Sequence, residues 1–405
     1  MTLQALLVVT ESQLGMKRMN LLQKYKPLAA LLLTAAMTCS AFAHDDHGRG
    51  HDKDKGHSHH DNGGHHGHHG PPSPPPTDPN ALVWYQVKST VWWPKENTVG
   101  DHWTAFNTPT NNKDNPRPTV DRGLTDPILV GAIDLHAHHG PDSYPRYGDA
   151  LDVSRLMQSR GMRGAVLKNH WQETASIAYL VRKYGTPGTG FLAFGAICMD
   201  TPEGGVNPNA VRYFADVQGG LAAVVWMPTH DSEHEVKQQN SARPFVRVAE
   251  RGKLLPDVLE VLDIIKERNL TLATGHVNPE EMLLIVKAAK KRGITKIIIT
   301  HANLGPQYTD PTIEQLQQVV ADGAVVEFVS GQTAQAAIID KIRVLGTQNV
   351  LISSDSGLPG TNHTDALVTA IQRLRTAGFT EAELKVMFQD NPAKVLGLPI
   401  LQSQS

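Results

Sequence analysis

Residues 130–140 read VGAIDLHAHHG. The apolar start reads as a strand, and side chains two apart on a strand share a face, so Asp134, His136 and His138 are expected to project together. Two imidazoles then converge on one spot. Neutral imidazole is the commonest protein ligand for a transition metal, but an isolated pair of this kind is read equally well as two hydrogen-bonded or surface histidines. The rest of the chain has to decide between them.

Outward from this stretch a period emerges. Further short β-rich runs follow at GAVLKNH, FLAFGAICM, LAAVVWMPTH, LTLATGH, KIIITHA, GAVVEFVS and NVLISSDSG. Amphipathic helical patterns separate them. Their entry signals are Pro256, the set Asn278-Pro279-Glu280-Glu281, and Asp310-Pro311; Gly161, Gly293, Gly323 and Gly346 stand where left-handed helix caps belong. Eight strand–helix units in residues 125–402 have the arithmetic of an α/β (β/α)8 TIM barrel. A doubly wound open sheet would announce a Gly-rich phosphate turn after its first strand, and none is present.

Catalytic residues of such barrels sit at the C-terminal ends of the strands. Those ends carry His136 and His138, Lys168 and His170, Cys198-Met199-Asp200, His230, His276, His301, Glu327 and Asp355. Independently satisfied residues have no reason to gather at one end, and burying several charges together costs several kcal/mol each unless something pairs them. A divalent cation at the barrel mouth removes that difficulty.

The HxH closing the first strand, the single histidines closing the fifth and sixth, Asp355 closing the eighth and the terminal DNPAKVLGL (Asp390 to Leu398) together resemble the amidohydrolase superfamily of metal-dependent hydrolases. The resemblance covers roughly residues 124–398. GMRGAVLKNH (161–170), GGVNPNAV (204–211) and VVWMPT (224–229) further resemble an uncharacterised bacterial subgroup. The resemblance implies that His136, His138, His276 and His301 ligate metal and that Asp355 is both ligand and general base. One or two ions are implied, with Zn2+ the expected cation. Two-metal members usually carry a bridging carboxylated lysine or a glutamate on the fourth strand, where this chain has Trp226-Met227-Pro228-Thr229. Lys168 on the second strand is the alternative, either carboxylated and bridging or binding an anionic substrate as an ammonium, with His170 two residues on as a further ligand.

A metal-activated water with Asp355 as base would cleave an amide, an ester or lactone, or a related bond, with Asp134 orienting a ligand ring. Arg146, His230, Glu327 and Trp226 are the candidate substrate contacts, with Trp171 a further pocket aromatic. Arg146, with Arg243, Arg247 and Arg251 in the long loop at 230–255, suggests an anionic group on a small substrate.

The N-terminal part points to export. Met16 to Lys26 is basic, Leu28 to Met37 apolar, and Ala41-Phe42-Ala43 has a signal-peptidase pattern; translation from Met1 or Met16 fits equally. Residues 1–43 therefore read as a signal peptide cleaved after Ala43, leading to a periplasmic or secreted protein with no membrane attachment. Cleavage removes four of the 38 Lys+Arg and one of the 40 Asp+Glu, and the mildly acidic remainder carries no electrostatic footprint for nucleic acid. Residues 44–80 read as a linker expected to be disordered, whose first part, His44 to Gly70, holds ten of the 20 histidines and suits capture of additional metal. Residues 81–124 read as a short β-rich extension. Homo-oligomerisation is compatible with the sequence. Two rival readings are a non-catalytic zinc-binding or storage protein and a metal-dependent phosphoesterase.

Overall fold

The computed structural model describes residues 90–92 and 119–401. The readings made for 1–43, 44–80 and most of 81–124 lie outside them. Among the described residues, eight parallel strands pair in chain order: β1 Ile133–His138, β2 Gly164–Lys168, β3 Leu192–Cys198, β4 Ala222–Trp226, β5 Thr271–Ala273, β6 Ile297–Ile299, β7 Val325–Val329 and β8 Val350–Ser353. The circle closes where the His138 N–H donates to Ser356 O and the Asp355 N–H to His136 O, both at 3.1 Å. Helices α1 Ala150–Ser159, α2 Ala175–Leu180, α3 Pro208–Ala215, α4 Pro256–Glu267, α5 Pro279–Lys291, α6 Ile313–Ala321, α7 Ala336–Leu345 and α8 His363–Thr376 follow the strands in turn. The protein is a (β/α)8 barrel, as the periodicity indicates.

The helix boundaries follow local chemistry. Asn278 and Glu281 form a reciprocal capping box at the start of α5. For α6 the cap is Thr312, paired with Gln315, rather than the Asp310-Pro311 step expected from sequence, because Thr312-x-x-Gln315 satisfies two orphan N–H groups at once. Gly161, Gly293, Gly323 and Gly346 all take positive φ.

Two apolar layers position the site. Residues such as Leu167, Ile197, Val225, Ile299 and Ile352 face the helices, while Leu135, Val166, Cys198, Val224, Trp226, Ile298 and Leu351 fill the barrel interior. The terminal helix Asn391–Leu396 closes the floor: Ala393 and Val395 join the interior cluster, and the Asn391 side chain donates to Val350 O at 2.6 Å. With the floor packed by apolar groups, the opposite end is left for polar side chains.

β1 departs from the expected alternation. The register with β2 shifts between Asp134 and Ala137, so one extra residue is accommodated there. Leu135 consequently packs inside the barrel and Ala137 outside it. The bulge turns His136 and His138 into the mouth but leaves Asp134 behind the wall, which corrects the expectation that all three share a face. The Asp134 carboxylate accepts the Ser354 N–H at 3.0 Å, the Ser354 hydroxyl at 2.5 Å and the His136 N–H at 3.1 Å. It ties β8 to β1, and burial pushes its carboxyl up to about 6.

The segment between β4 and α4 carries structure of its own: a helix at Glu233–Gln238, strand Phe245–Val246 paired antiparallel with Val91–Trp92, and a small hairpin of Ala249–Glu250 with Lys253–Leu254. Among the described residues, no helix is long and apolar enough to cross a membrane.

Gly195 on β3 is where β3 and α2 approach most closely, since an added Cβ would collide with the backbone of Ala175. Gly195→Ala is expected to cost roughly 1–3 kcal/mol as an overpacked core substitution, measured by urea unfolding against the wild-type chain. A midpoint unchanged within error would contradict this packing of α2.

Candidate metal centre

Six histidines from five strand ends form a continuous ring at the mouth. Ring centroids are separated by 5.2 Å for His136 and His138, 4.8 Å for His138 and His170, and 4.2 Å for His170 and His230. The circuit continues at 5.4 Å to His276, 4.8 Å to His301 and 5.7 Å back to His136. All six are buried. Burial disfavours the imidazolium, lowering His136 and His301 to about 3 and His138, His170, His230 and His276 well below the usual histidine range. These are neutral rings with lone pairs available, the state that metal ligation needs.

Asp355 stands over β1, its Oδ1 3.1 Å from His136 Nε2 and 3.2 Å from His138 Nε2. It is reached through a left-handed turn, φ 48°, and His301 also leaves its strand at positive φ, 21°. A positive φ is uncommon for residues other than glycine and costs on the order of 1–3 kcal/mol. At both positions it swings a candidate ligand side chain inward at the end of a strand.

Behind the rings stand carboxylates. Glu327 lies 3.3 Å from His136 Nδ1 and accepts the His301 N–H at 2.9 Å. Glu235, on the helix Glu233–Gln238, touches His230 Nδ1 with one oxygen at 2.8 Å and His276 Nδ1 with the other at 2.5 Å. Ser232 places it: its hydroxyl accepts the Glu235 N–H at 3.1 Å and donates to His276 O at 2.7 Å. His170 Nδ1 bonds the Thr229 hydroxyl at 2.7 Å, and that hydroxyl donates to Asp200. Metal-ligating histidines characteristically use their second nitrogen on such partners, which fixes the tautomer.

Two side chains approach with opposite polarity. Lys168 Nζ donates to His136 Nε2 at 2.8 Å and lies 5.0 Å from the Trp226 ring centre. Arg146, paired with Asp142 at 2.7 Å, donates to His138 Nδ1 at 3.2 Å. His136, His138, Lys168, His170, His230, His276, His301 and Asp355 line a cavity of about 120 Å³, capped by Tyr144, Arg146, Leu304, Tyr308 and Leu358.

The sequence-derived site residues are thus brought together, with two corrections to the substrate contacts. Trp226 and Glu327 are fully buried and do not line the cavity. Trp226 fills the barrel interior beneath Lys168, and Glu327 stands behind His136 and His301. The loop arginines are also withdrawn: Arg243 is buried against His230 O and Asp231, and Arg247 is held by Glu233 at 2.7 and 2.8 Å. Trp171 stacks behind His230 at 6.1 Å instead of lining the cavity. Glu235 and Asp200 were missed as supports. The capping sequence Ser232-x-x-Glu235 was the available signal for Glu235.

Donor atoms within 4.8 Å of one another group three ways among the described residues: His136, His138 and Asp355; His230, Glu235 and His276; and His170, Cys198 and Asp200. The first suits a divalent cation, with two nitrogen donors and a carboxylate. In the third, burial pushes the Cys198 thiol up, so it stays protonated, and Asp200 is consumed by Thr229 and by backbone N–H groups.

The profile of a family of unknown function (DUF6282) matches residues 131–327, a span that includes all six ring histidines but not Asp355. Among curated proteins no sequence matches. Similar solved structures include an amidohydrolase from Pseudomonas aeruginosa, 11% identical over 67% of this chain and 98% of that one at TM-score 0.50. Another is the probable dipeptidase PvdM from the same organism, 10% identical over 67% and 96% at TM-score 0.51. The chain shares the (β/α)8 fold of these structures.

Glu327→Gln keeps an acceptor for the His301 N–H but removes the charge facing His136. The tightest-bound Co2+ is expected to weaken about 10- to 100-fold, read by competition with a chromophoric chelator. Unchanged affinity would leave Glu327 with a packing role only.

Proposed function

We propose that the protein is a secreted metal-dependent hydrolase that cleaves an amide, an ester or lactone, or a related bond of a small anionic substrate. The observation that carries this reading is the Asp355 carboxylate within 3.2 Å of both imidazoles of the HxH pair, partly exposed at the wall of a cavity of about 120 Å³. Storage of metal needs ligands but no carboxylate poised at the open face of the site. His136, His138, His276 and His301 hold the cation together with Asp355, and Zn2+ suits this nitrogen-rich set. Such a cation supplies Lewis acidity and a water of lowered pKa.

The chain's own groups supply the rest. Asp355 accepts the proton of the attacking water and returns it to the leaving group. Tyr144, Tyr308, Leu304 and Leu358 shield the reacting centre from solvent. Arg146 binds the anionic group of the substrate: a cation on His138 Nε2 leaves the ring proton on Nδ1, where it repels the guanidinium and frees it to turn toward the cavity. Lys168 faces the same logic at His136, since an ammonium and a cation cannot share the Nε2 lone pair. It moves off to the substrate, or it is carboxylated and becomes a ligand itself. Export rests on the N-terminal sequence pattern at 1–43.

Screening the metal-loaded chain against lactones, amides, cyclic imides and phosphoesters identifies the bond, and Asp355→Asn then tests the mechanism. Turnover is expected to fall roughly 100- to 10,000-fold, the usual contribution of a general acid or base, with most bound metal retained. Wild-type turnover in the variant would refute the role of Asp355, and inactivity of the loaded wild type toward every class would favour metal storage.

A further inference from the structure

We infer that the substrate is amphipathic: its anionic group lies on the β1–β2 side of the mouth and a short apolar group lies on the β4–β6 side, where Leu304 and Tyr308 select it. This inference rests on the reading of the cavity as a hydrolase site and goes beyond it in naming the other end of the substrate and the residues that receive it. In a closed ring of eight strands, β6 stands across from β2. The cavity lining divides along that line. Lys168 on β2 and Arg146 in the loop after β1 bring two cations to the His136 and His138 rings. The loop after β6 brings no charge to the cavity, only Leu304 and Tyr308. The Tyr308 ring centre lies 5.2 Å from that of His276, 5.8 Å from His301 and 6.5 Å from His230, at interplanar angles of 78, 74 and 62°. It therefore covers the β4–β6 side and leaves the β1–β2 side to the cations.

Hydrogen bonds hold these two side chains in place. Asn303, at φ 69°, donates through its amide to Asp310 Oδ1 at 2.9 Å and to Pro311 O at 2.6 Å, which pins the two ends of the loop together. Within the loop, the Tyr308 and Thr309 N–H groups donate to Gly305 O at 3.0 and 3.1 Å. Gly305 takes φ 127°, a conformation open to glycine at no steric cost. At the tip, His234 Nε2 donates to Pro306 O at 2.9 Å and ties the loop to the insertion helix.

Leu304 and Tyr308 nevertheless remain half-buried. Apolar groups that are held in place and partly exposed beside a ring of imidazoles still have surface to remove from water when a ligand arrives, and their fixed geometry lowers the ordering cost of binding it. Ligand sites combine apolar walls with a few polar groups that set orientation. Here the orientation has one favourable sense. An alkyl group laid against Arg146 and Lys168 would strip water from two cations without replacing it, and a carboxylate laid against Leu304 would lose its hydration without gaining a donor. The scissile bond then lies between the two ends, on the side where Asp355 meets the HxH pair.

Calorimetry of acetate, butyrate and hexanoate binding to the metal-loaded full chain tests this orientation. Affinity is expected to rise about two- to fourfold for each methylene that reaches the loop. Leu304→Ala and Tyr308→Ala should each flatten that rise and leave acetate binding unchanged, whereas Arg146→Ala should weaken all three acids alike. Should Tyr308→Ala loosen the loop, seen as faster amide exchange at 303–310, Leu304→Ala decides. A flat series in the wild-type chain, or a rise that Leu304→Ala and Tyr308→Ala both keep, refutes the apolar end, and turnover of any substrate class then leaves the hydrolase reading standing. Unchanged acetate affinity in Arg146→Ala removes the anionic end and overturns the orientation. If the rise is present and depends on the loop but no lactone, amide, cyclic imide or phosphoester is turned over, the hydrolase reading falls and the amphipathic site remains.

Discussion

Six buried imidazoles at one end of a barrel are the constraint on which the rest of this structure depends. Each ring must lose its hydration, and burial is strong enough to keep all of them neutral. Neutral rings packed against one another present lone pairs to lone pairs, as where His276 Nε2 and His301 Nε2 meet at 3.0 Å. Only a proton or a cation between such atoms makes the contact favourable. His276 donates to Glu235 through Nδ1, so a hydrogen bond between the two Nε2 atoms needs its proton on His301 Nε2. Its own Nδ1 is then buried without a hydrogen-bond partner. A cation that took both Nε2 atoms would move the His301 proton to Nδ1, replacing a contact dependent on one proton by two ligand bonds.

The backbone has been bent to bring these groups together. A regular β1 could not put both Leu135 and His136 inside the barrel, since neighbours on a strand face opposite ways. The bulge before Ala137 permits it: the lower part of the strand fills the apolar interior and the upper part supplies ligands. At the seam the same purpose is served by Asp134, whose three hydrogen bonds hold β8 against β1 and fix the turn from which Asp355 projects. The ligands are thus set on strand ends braced by an apolar floor and wall, which favours the precise placement that metal geometry demands.

The recurrence of apolar runs and helix caps made the barrel legible in the sequence, because each strand–helix unit repeats the same local physics. The identity of the strand-end residues made the mouth legible for the same reason. The bulge was not: nothing in DLHAH marks an extra residue, and parity read from alternation placed Asp134 with the histidines. Glu235 was missed because its partners lie 5 and 41 residues away and meet only through the fold. Trp226 was misplaced as a pocket wall because proximity to a strand end does not say which side of the polar layer a ring occupies. It packs one layer below, with Leu135 and Val224.

The polarity of the contacts around β1 gives the site a direction of change. Lys168 and Arg146 each donate to a nitrogen of the HxH pair, so two cationic side chains stand on the same rings that Glu327 and Asp355 face. Glu327 and Asp355 supply the matching negative charge whether the positive charge comes from side chains or from an ion. Both side chains line the cavity, Lys168 on β2 and Arg146 in the loop after β1, where, on the proposed reading, an anionic substrate would meet them. The ring of imidazoles thus shares its cavity with two cationic side chains, which the proposed function assigns to recognition of the substrate.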